Sequence, residues 1–448
     1  MIKNICCIGA GYVGGPTMAV IAEKCPDIKI TLVDSNPDKI DAWIGPLDQL
    51  PVFEPGLKEI VEKVRDKNLF FSNDIDKHID ESEMIFIAVN TPTKTEGEGA
   101  GMAADLKYVI ACAKQIAKSS NSDKIVIEKS TLPVRTAEKI KEILYNEGKE
   151  GVNFEILSNP EFLAEGTAIQ DLYKSDRVLI GGDETKSGKI AVEKLVSIYR
   201  RWIPKSKILT TNVWSSELSK LASNAMLAQR ISSINSLSAL CEKTGANIDE
   251  VSKAIGMDRR IGKEFLKVSP GFGGSCFKKD ILNLVYLCQF YGLNDVADYW
   301  YGVIKINDYQ RERIINKITS YYSENNLELK ISILGWAFKK NTNDTRESVS
   351  IYITNQLIRH GFQIKIYDTM VSEEKILRDL NEINKDFKQD FINKVSVYES
   401  LEGILNETKI LMILTEWDEF KTLEKDSSNK IIFDFRNILK TKTNIHKF

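Results

Sequence analysis

The chain has 448 residues, which is more than one hydrophobic core comfortably serves and predicts two or three domains. Hydrophobic residues make up 43% and charged residues 28%, the levels of an ordinary globular protein, so the composition excludes a disordered chain. A net charge of −2 offers no basic field for nucleic acid, and no apolar run approaches the ~18 residues of a membrane span.

Short apolar runs alternate with helical patterns over the first 200 or so residues. "NICCIGAGYVGG" predicts a strand, a glycine turn and the start of a helix, and "IKITLVD" predicts a second strand that ends at Asp34. Further strands are predicted within "EMIFIAVNTPT", "KIVIEKSTLP" and "FEILSNPEF". Strands that alternate with helices indicate right-handed crossovers and a mostly parallel sheet.

A long helix is predicted from Val213 to Thr244, because this stretch contains no Gly or Pro and Gly245 follows as a C-cap. At 1.5 Å per residue the helix would be about 48 Å long, which suits a spine between domains. Helical patterns continue to about Ser323 and are interrupted by a glycine-rich loop that carries Cys276.

The last segment repeats the first in weaker form. "LKISILGWAFKK" matches the first strand and turn, and "FQIKIYD" matches the strand that ends in an aspartate, here Asp368. The repeated turn keeps one glycine, Gly335. We therefore predict an α/β fold with two Rossmann-like parallel-sheet domains, residues 1–205 and 325–448, joined by the long central helix and a helical middle domain, residues 206–324.

The first glycine turn has the spacing of a dinucleotide site. "GAGYVG" places Gly9, Gly11 and Gly14 in G-x-G-x-x-G, between a predicted strand and a predicted helix. Asp34 follows 20 residues after Gly14, where an acid accepts from the ribose 2′-hydroxyl of NAD and repels the 2′-phosphate of NADP. The motif predicts NAD; the alternative is a glycine-rich turn and an ordinary surface aspartate.

Polar loops follow three further strands, at residues 90–93, 130–133 and 159–161. Ligands of parallel sheets bind beyond the carboxyl ends of the strands, so these loops are expected on the same edge as the glycine turn. Turn chemistry explains any one of them, but four such loops on one edge favour a binding site near the nicotinamide.

Cysteines and histidines restrict the chemistry. The seven cysteines form no Cys-x-x-Cys pair and the three histidines lie far apart, so we expect free thiols, no metal site and no Ser-His-Asp triad.

The N-terminus lacks the features of a signal peptide, and we expect a cytoplasmic protein.

Cys276 lies in "PGFGGSCFKKD", where glycines leave the backbone accessible and Lys278 and Lys279 favour a thiolate. Beside a nicotinamide, a thiolate could add to an aldehyde, and oxidation of the adduct would leave a thioester for hydrolysis. The alternative is a small buried residue at a tight turn. Likewise Lys220 and Asn224, four apart on the long helix, could form a solvated polar face or border a bound molecule.

Seven motifs resemble the UDP-glucose 6-dehydrogenases, most closely those of animals, within the UDP-glucose/GDP-mannose dehydrogenase family. They occur in the same order over nearly the whole chain: "GAGYVG", "VNTPT", "KSTLPV", "SNPEFLAEGTAI", "WSSELSKLASNAMLAQRISSINS", "GFGGSCFKKD" and "GWAFKKNTNDTRES". The resemblance implies oxidation of UDP-glucose to UDP-glucuronate with two NAD and no release of the aldehyde. It also implies that the last domain holds UDP and that the chain forms homodimers through the long helix, with a hexamer of three dimers expected.

The resemblance also assigns residues. The implied catalytic residues are Cys276 (nucleophile), Lys220 (proton transfer and oxyanion stabilisation), Asn224 beside it, Asp280 (activation of water), Glu161 (proton transfer) and Thr131 (positioning of water and cofactor). The implied cofactor-binding residues are Gly9, Ala10, Gly11, Tyr12, Val13, Gly14, Asp34, Lys39, Val89, Asn90, Thr91, Pro92, Thr93, Ser130, Thr131, Leu132, Glu165, Cys276, Lys279 and Arg346. The implied substrate-binding residues are Glu161, Phe162, Leu163, Ala164, Glu165, Lys220, Asn224, Arg260, Lys267, Phe272, Gly273, Phe338, Lys339 and Arg436, the last of these reaching the substrate of a neighbouring subunit.

Two departures and two rival functions remain at this point. Lys278 stands where the animal enzymes commonly have glutamine, and "DFRN" around Arg436 replaces a version with paired arginines.

The rival functions are a sister dehydrogenase of GDP-mannose or a UDP-N-acetylhexosamine, and an NAD-binding regulator without turnover. A pure binder has no need of Cys276, Lys220 and Asp280 together.

Overall fold

The computed structural model describes residues 2–383, 393–426, 429–440 and 444–448. The chain divides into two compact units, Met1–Ser223 and Asn224–Phe448. Each unit contains one β-sheet with helices packed against it.

The first unit contains an eight-stranded sheet. Its strands are β1 (Asn4–Ile8), β2 (Lys29–Val33), β3 (Leu69–Ser72), β4 (Met84–Ile87), β5 (Lys124–Glu128), β6 (Phe154–Ser158), β7 (Val178–Gly182) and β8 (Ile208–Asn212). They lie in the order β3-β2-β1-β4-β5-β6-β7-β8, and every neighbouring pair is parallel except β6 and β7. The first six follow the doubly wound order of dinucleotide-binding folds, which confirms the predicted mostly parallel sheet.

Helices cover both faces of this sheet. They are α1 (Gly14–Lys24), α2 (Pro37–Ile44), α3 (Leu57–Val64), α4 (Ile75–Glu81), α5 (Lys107–Ser119), α6 (Thr136–Glu147), α7 (Ala168–Tyr173) and α8 (Lys186–Tyr199), with short 3₁₀ turns at Leu47–Gln49 and Lys205–Lys207. Ile5 and Cys7 of β1 enter one hydrophobic core, and Cys6 and Ile8 enter another. Because successive strand residues point to opposite faces, an apolar run such as "NICCI" is buried on both sides.

The predicted long helix is α9 (Val213–Thr244), and it contains the boundary between the two units. Gly245 has φ +77°, a conformation that side chains other than glycine rarely adopt, and its N–H donates to the Cys241 carbonyl oxygen at 2.9 Å. This glycine therefore ends the helix as the sequence predicts.

The second unit continues with helices α10 (Ile248–Gly256), α11 (Phe277–Phe290) and α12 (Asn294–Glu324). Its sheet comprises β9 (Lys330–Leu334), β10 (Gln363–Tyr367), β11 (Val395–Val397), β12 (Ile410–Ile413), β13 (Ile431–Asp434) and β14 (Ile445–His446). The other described helices are α13 (Val349–Arg359), α14 (Glu373–Ile383), α15 (Leu401–Leu405) and α16 (Leu423–Asp426), with a 3₁₀ turn at Asp418–Thr422. All neighbouring strands are parallel, in the order β11-β10-β9-β12-β13-β14.

The two sheets thus repeat one strand order, and the predicted α/β class is confirmed. The predicted three-domain boundaries stay a prediction. Within the described ranges, no helix combines the length and the apolar character needed to cross a membrane.

Candidate active site

The glycine turn between β1 and α1 is built to receive a phosphate chain. Gly9 has φ +114°, its N–H donates to the Val33 carbonyl oxygen at 2.8 Å, and a Cβ here would lie 2.4 Å from the Ala88 carbonyl oxygen. A Cβ on Gly14 would lie 2.0 Å from the Gly9 carbonyl oxygen, whereas one on Gly11 would meet nothing within 4 Å. Gly9 therefore permits the tight turn, and Gly14 permits close packing of the helix against it. Gly11 leaves the backbone open at the start of the helix, where N–H groups favour an anion.

Asp34 follows β2 directly and shapes the same turn. One carboxylate oxygen accepts from the Ala10 N–H at 3.0 Å and lies 3.2 Å from the Lys39 ammonium, and the other accepts from the Asn36 N–H at 3.0 Å. The Trp43 indole N–H donates to the Ala10 carbonyl oxygen at 3.1 Å. An acid at this strand end, beside an open Gly11, fits the ribose and pyrophosphate of NAD.

The next two predicted loops are joined by hydrogen bonds. The Ser130 hydroxyl donates to the Val89 carbonyl oxygen at 2.6 Å, and the Thr91 hydroxyl donates to the Thr131 carbonyl oxygen at 3.1 Å. The loop of Val89, Asn90, Thr91, Pro92 and Thr93 and the loop of Ser130, Thr131 and Leu132 thus lie together at the carboxyl ends of β4 and β5. This confirms their expected placement on one sheet edge.

Glu161 and Lys220 form a buried ion pair. The Glu161 carboxylate lies 3.0 Å from the Lys220 ammonium, and their side chains are only 8% and 4% exposed. The Leu163 N–H donates to the same carboxylate at 2.7 Å. Burial opposes ionisation of Glu161, but the Lys220 charge and this N–H outweigh it and hold its pKa below its usual value. Lys220 is therefore buried in an ion pair, and the alternative that it belongs to a solvated polar face is wrong.

Aromatic and polar side chains lie next to the Glu161–Lys220 pair. The Phe162 ring has the Arg177 guanidinium 3.8 Å and the Lys220 ammonium 5.4 Å from its centroid. The Ala164 N–H, in the loop that also carries Glu165, donates to the Asp171 carboxylate at 2.9 Å. Arg177 is a contact that sequence reasoning missed, since nothing in its local pattern separates it from a surface arginine.

Lys129 was also missed. It directly follows β5, is 4% exposed, and donates to the Asn159 side-chain oxygen at 3.1 Å and the Tyr199 hydroxyl at 3.4 Å. Burial lowers the pKa of Lys129 to about 8, against the attraction of the Glu161 carboxylate. The only sequence signal is a lysine immediately after a fully apolar strand, inside "KSTLP".

In the second unit, Cys276 caps the N-terminus of α11. Gly271 and Gly274 before it have φ +125° and +83°, and the Asp280 N–H donates to the Cys276 carbonyl oxygen at 2.8 Å in the first helical turn. A helix N-terminus favours a negative charge on a thiol placed there. The helix therefore begins directly after the glycine-rich loop, with Asp280 in its first turn.

Exposure distinguishes Cys276 from the other cysteines. All seven are free thiols, and Cys276 is partly exposed while the other six are buried. Burial raises the pKa of Cys25 to about 11 and that of Cys112 to about 12, which makes these thiols poor nucleophiles. Cys276 is therefore the accessible thiol of the chain, and the alternative of a buried turn residue is wrong.

Asp280 and Asn224 are joined to each other. The Asn224 amide donates to the Asp280 carboxylate at 2.6 Å, and the two residues are 6% and 2% exposed. The Lys279 ammonium lies 3.8 Å from Asp280, whereas Lys278 lies 2.9 Å from the Glu347 carboxylate. The two lysines after the cysteine thus lie near different carboxylates, Lys278 near Glu347 and Lys279 near the buried Asp280.

Four of the predicted substrate residues lie together in the second unit. A Cβ on Gly273 would lie 3.0 Å from that of Phe338, the Arg436 guanidinium donates to the Phe338 carbonyl oxygen at 2.9 Å, and Phe272 is 4% exposed beside the glycine turn. Arg436 also donates to the Leu414 carbonyl oxygen at 2.6 Å and lies 3.2 Å from Glu416.

The remaining predicted cations are placed as follows. Arg346 donates to Asp344 at 2.7 Å, and its carbonyl oxygen accepts from the Gly274 N–H at 2.9 Å, which ties it to the cysteine loop. Lys339 lies 5.6 Å from the Phe338 ring centroid. Arg260 pairs with its neighbour Asp258 on the surface, and Lys267 is exposed.

Within the described ranges, no group of three or more His, Cys, Asp or Glu side chains is arranged to hold a metal ion. The groups at the two sites are a buried Glu–Lys pair, a thiol at a helix N-terminus and an Asp–Asn pair. Such groups transfer protons and form covalent bonds to carbon.

Three domain models of the UDP-glucose/GDP-mannose dehydrogenase family match the chain: the NAD binding domain at residues 3–203, the central domain at 214–309 and the UDP binding domain at 332–441. UDP-glucose 6-dehydrogenase of Mus musculus is 56% identical over 98% of this chain and 90% of its own length. UDP-glucose 6-dehydrogenase 5 of Oryza sativa subsp. japonica is 55% identical over 98% and 94%. The UDP-glucose dehydrogenase structure from Pyrobaculum islandicum superposes with a TM-score of 0.85 at 27% identity, covering 100% of this chain and 97% of that chain.

Proposed function

Because the chain belongs to the UDP-glucose/GDP-mannose dehydrogenase family and is an NAD-dependent oxidoreductase, we propose that it oxidises UDP-glucose to UDP-glucuronate. Over nearly its whole length it is 55–56% identical to proteins named for UDP-glucose, from animals and from plants. That similarity favours UDP-glucose over the sister substrates.

The observation that carries the mechanism is the partly exposed Cys276 at the N-terminus of α11, with Asp280 one turn further on. Bound NAD supplies the acceptor for a hydride in each of two oxidations. In the first, the C6 alcohol gives up a hydride and a proton and becomes an aldehyde. We assign that proton to the buried Glu161 carboxylate, while the paired Lys220 ammonium stabilises the negative charge that develops on the C6 oxygen.

In the second oxidation Cys276 adds to the aldehyde carbon through its sulfur and forms a thiohemiacetal. Loss of a second hydride and a proton from this adduct leaves a thioester on Cys276. The Lys220 ammonium and the Asn224 amide, one helical turn apart on α9, are the groups we assign to the charge on the adduct oxygen. No aldehyde needs to leave the protein.

Hydrolysis completes the reaction. Water attacks the thioester carbon, the C–S bond breaks, and the acid and the Cys276 thiol are released. We assign activation of this water to Asp280, whose carboxylate is held by the Asn224 amide at 2.6 Å. UDP is assigned to the second unit, where the cations Arg436 and Lys339 lie beside Phe338.

The stoichiometry of the reaction tests this proposal. Purified protein with limiting UDP-glucose and excess NAD should form two NADH for each UDP-glucuronate, followed by absorbance and by chromatography of the sugar nucleotides. A matched panel of GDP-mannose and UDP-N-acetylglucosamine should give far lower kcat/KM. One NADH per sugar, or none, would contradict the two-step mechanism, and preference for another sugar would contradict the substrate.

We also propose that the chain is a homo-oligomer, a dimer at least, with a hexamer of three dimers expected. In support, apolar side chains of α9 are exposed within the chain, with Met226 at 53% and Leu240 at 61%. Light scattering coupled to size exclusion should give a mass of two or six chains. A monomer at micromolar concentration would contradict this proposal.

A further inference from the structure

Lys129 is a buried ammonium group whose position the proposed chemistry leaves without a role. Within the described part of the chain, its hydrogen-bond partners are neutral oxygens, the Asn159 amide oxygen and the Tyr199 hydroxyl. It is 4% exposed, and a buried cation without a contacting carboxylate is costly for a protein to keep. The Glu161 carboxylate and the Lys220 ammonium are the charged groups whose fields reach it.

Asn159 connects Lys129 to Glu161. The Asn159 side-chain oxygen accepts from Lys129 at 3.1 Å and from the Tyr199 hydroxyl at 2.7 Å, and its amide donates to the Leu179 carbonyl oxygen at 2.8 Å. Its backbone N–H donates to the Glu128 carbonyl oxygen at 2.9 Å. These bonds engage the side-chain oxygen, the side-chain amide and the backbone N–H of Asn159, and so hold the start of the Asn-Pro-Glu loop against β5 and β7.

The charge of Lys129 has a second effect. Glu161 is buried, and burial alone would favour its protonated form, which cannot pair with Lys220. The Lys129 ammonium acts on Glu161 as an additional positive charge in this low-dielectric corner. Glu161 is thus paired with the Lys220 ammonium and also lies in the electrostatic field of the Lys129 ammonium.

We propose that Lys129 is a positioning residue that keeps Glu161 ionised and aimed at Lys220, by fixing Asn159 and by adding a second buried positive charge. This rests on the proposed function of the Glu161–Lys220 pair in proton transfer. Lys129 itself need not touch the substrate.

The role predicts a pH signature. The titratable groups that face Lys129 are Glu161, Lys220, Cys7 and Tyr199. Since burial lowers the pKa of Lys129 to about 8, its ammonium is present below that pH and lost above it. The advantage of the wild-type protein over a variant without the charge should therefore be large below pH 8 and disappear above it.

Lys129→Gln separates charge from hydrogen bonding, because glutamine can still donate to Asn159 but carries no charge. We expect kcat to fall about tenfold at pH 7 with both KM values within about twofold. The ratio of wild-type to variant kcat should fall towards about one between pH 7 and 9.5. Using a ratio cancels ionisations that both proteins share.

Lys124→Gln is the matched control. Lys124 lies at the other end of β5, is 2% exposed, and donates to the Asp80 and Ser82 carbonyl oxygens at 2.7 and 2.8 Å. This variant should lose similar stability and show a kcat ratio that does not change with pH. The proposal would be overturned if the ratio of wild-type to Lys129→Gln kcat did not change with pH, or if kcat were unchanged. Either result would be expected of a lysine whose role is only structural.

Infrared titration of the carboxyl band that disappears in Glu161→Gln supplies a readout without turnover. In Lys129→Gln, Glu161 should become protonated at a higher pH than in the wild-type protein. If UDP-glucose gives no NADH but this band shifts, the proposed function fails and the coupling stands. If UDP-glucose is oxidised normally and neither the band nor the kcat ratio responds, the function stands and the role of Lys129 is wrong.

Discussion

The turn after β1 and the turn after β9 share one backbone frame but contain different side chains. Gly9 and Gly335 have φ +114° and +103°, and each donates to the last residue of the neighbouring strand at 2.8 Å, Val33 in one case and Tyr367 in the other. In the first unit Ala10 follows the glycine and α1 begins at Gly14. In the second, Trp336 follows it and α13 begins only at Val349.

The aspartates at the two strand ends show the consequence. Asp34 accepts from the Ala10 and Asn36 N–H groups and stays beside the open Gly11. One oxygen of Asp368 accepts from the Trp336 N–H at 2.6 Å, from the Ala337 N–H at 3.0 Å and from the Trp417 indole at 3.0 Å. Its other oxygen accepts from two further N–H groups. Trp336 is fully buried, so the turn of the second unit is part of its hydrophobic core, whereas the turn of the first unit keeps open backbone at Gly11.

The largest expected effect comes from adding a Cβ to the two turn glycines. In Gly9→Ala it would lie 2.4 Å from the Ala88 carbonyl oxygen, and in Gly335→Ala 2.3 Å from the Thr415 Cβ, both at positive φ. We expect each to lower the free energy of unfolding by about 3 kcal/mol or more, measured by calorimetry. Only Gly9→Ala should abolish NAD binding; loss of NAD affinity in folded Gly335→Ala would contradict the division of roles.

Removing the charge of the two aspartates should have opposite consequences. Asp368→Asn leaves several buried N–H groups without an acceptor and should cost about 3 kcal/mol of stability with little change in NAD affinity. Asp34→Asn should change stability by about 1 kcal/mol and weaken NAD binding about tenfold, a loss of about 1.4 kcal/mol. Denaturant unfolding and titration calorimetry measure the two quantities. Equal effects of both variants on NAD would refute the comparison.

Gly11→Ala probes the open backbone alone. Because no atom lies within 4 Å of the added Cβ, stability should change by less than about 0.5 kcal/mol. NAD binding should weaken about tenfold, because the methyl group keeps the pyrophosphate from the backbone. Gly302→Ala in α12, where a Cβ also meets nothing, is the control, and should raise stability with no effect on NAD. Unaltered NAD affinity in Gly11→Ala would mean that the phosphates lie elsewhere.

The smallest effects on NAD affinity are expected from two indoles. Trp43→Phe loses one hydrogen bond to the Ala10 carbonyl oxygen, and Trp417→Phe loses one to Asp368. Each should cost about 1 kcal/mol of stability in chemical denaturation. NAD affinity should fall about twofold in Trp43→Phe, since Ala10 is loosened, and stay constant in Trp417→Phe. The reverse order of NAD effects would show that the second turn has a part in cofactor binding.

Much of this comparison could be predicted from local sequence. The strands, the glycine turns and the ends of α9 follow from apolar runs and from glycines, which act on their immediate neighbours. The glycine-rich loop that carries Cys276 was predictable for the same reason, since its glycines lie within a few residues of the cysteine.

What the sequence did not predict depends on residues far apart in the chain. Nothing in "GWAFKK" shows that Trp336 fills the turn, because its partner Asp379 lies 43 residues away. The setting of Lys129 depends on Asn159 and Tyr199, which are 30 and 70 residues away. The partner of Lys278, Glu347, is 69 residues away. Buried polar contacts of this kind arise only when strands and helices pack, so local patterns do not contain them.

Trapping the covalent intermediate tests the central claim most directly. The protein, mixed with UDP-glucose and NAD and quenched with acid within a turnover, should carry the mass of a UDP-glucuronyl thioester on the peptide that contains Cys276. Asp280→Asn should accumulate this adduct, because hydrolysis is slowed, and Cys276→Ser should bind NAD normally and carry none. UDP-glucuronate formed at the normal rate by Cys276→Ser, or an adduct on another residue, would contradict the account.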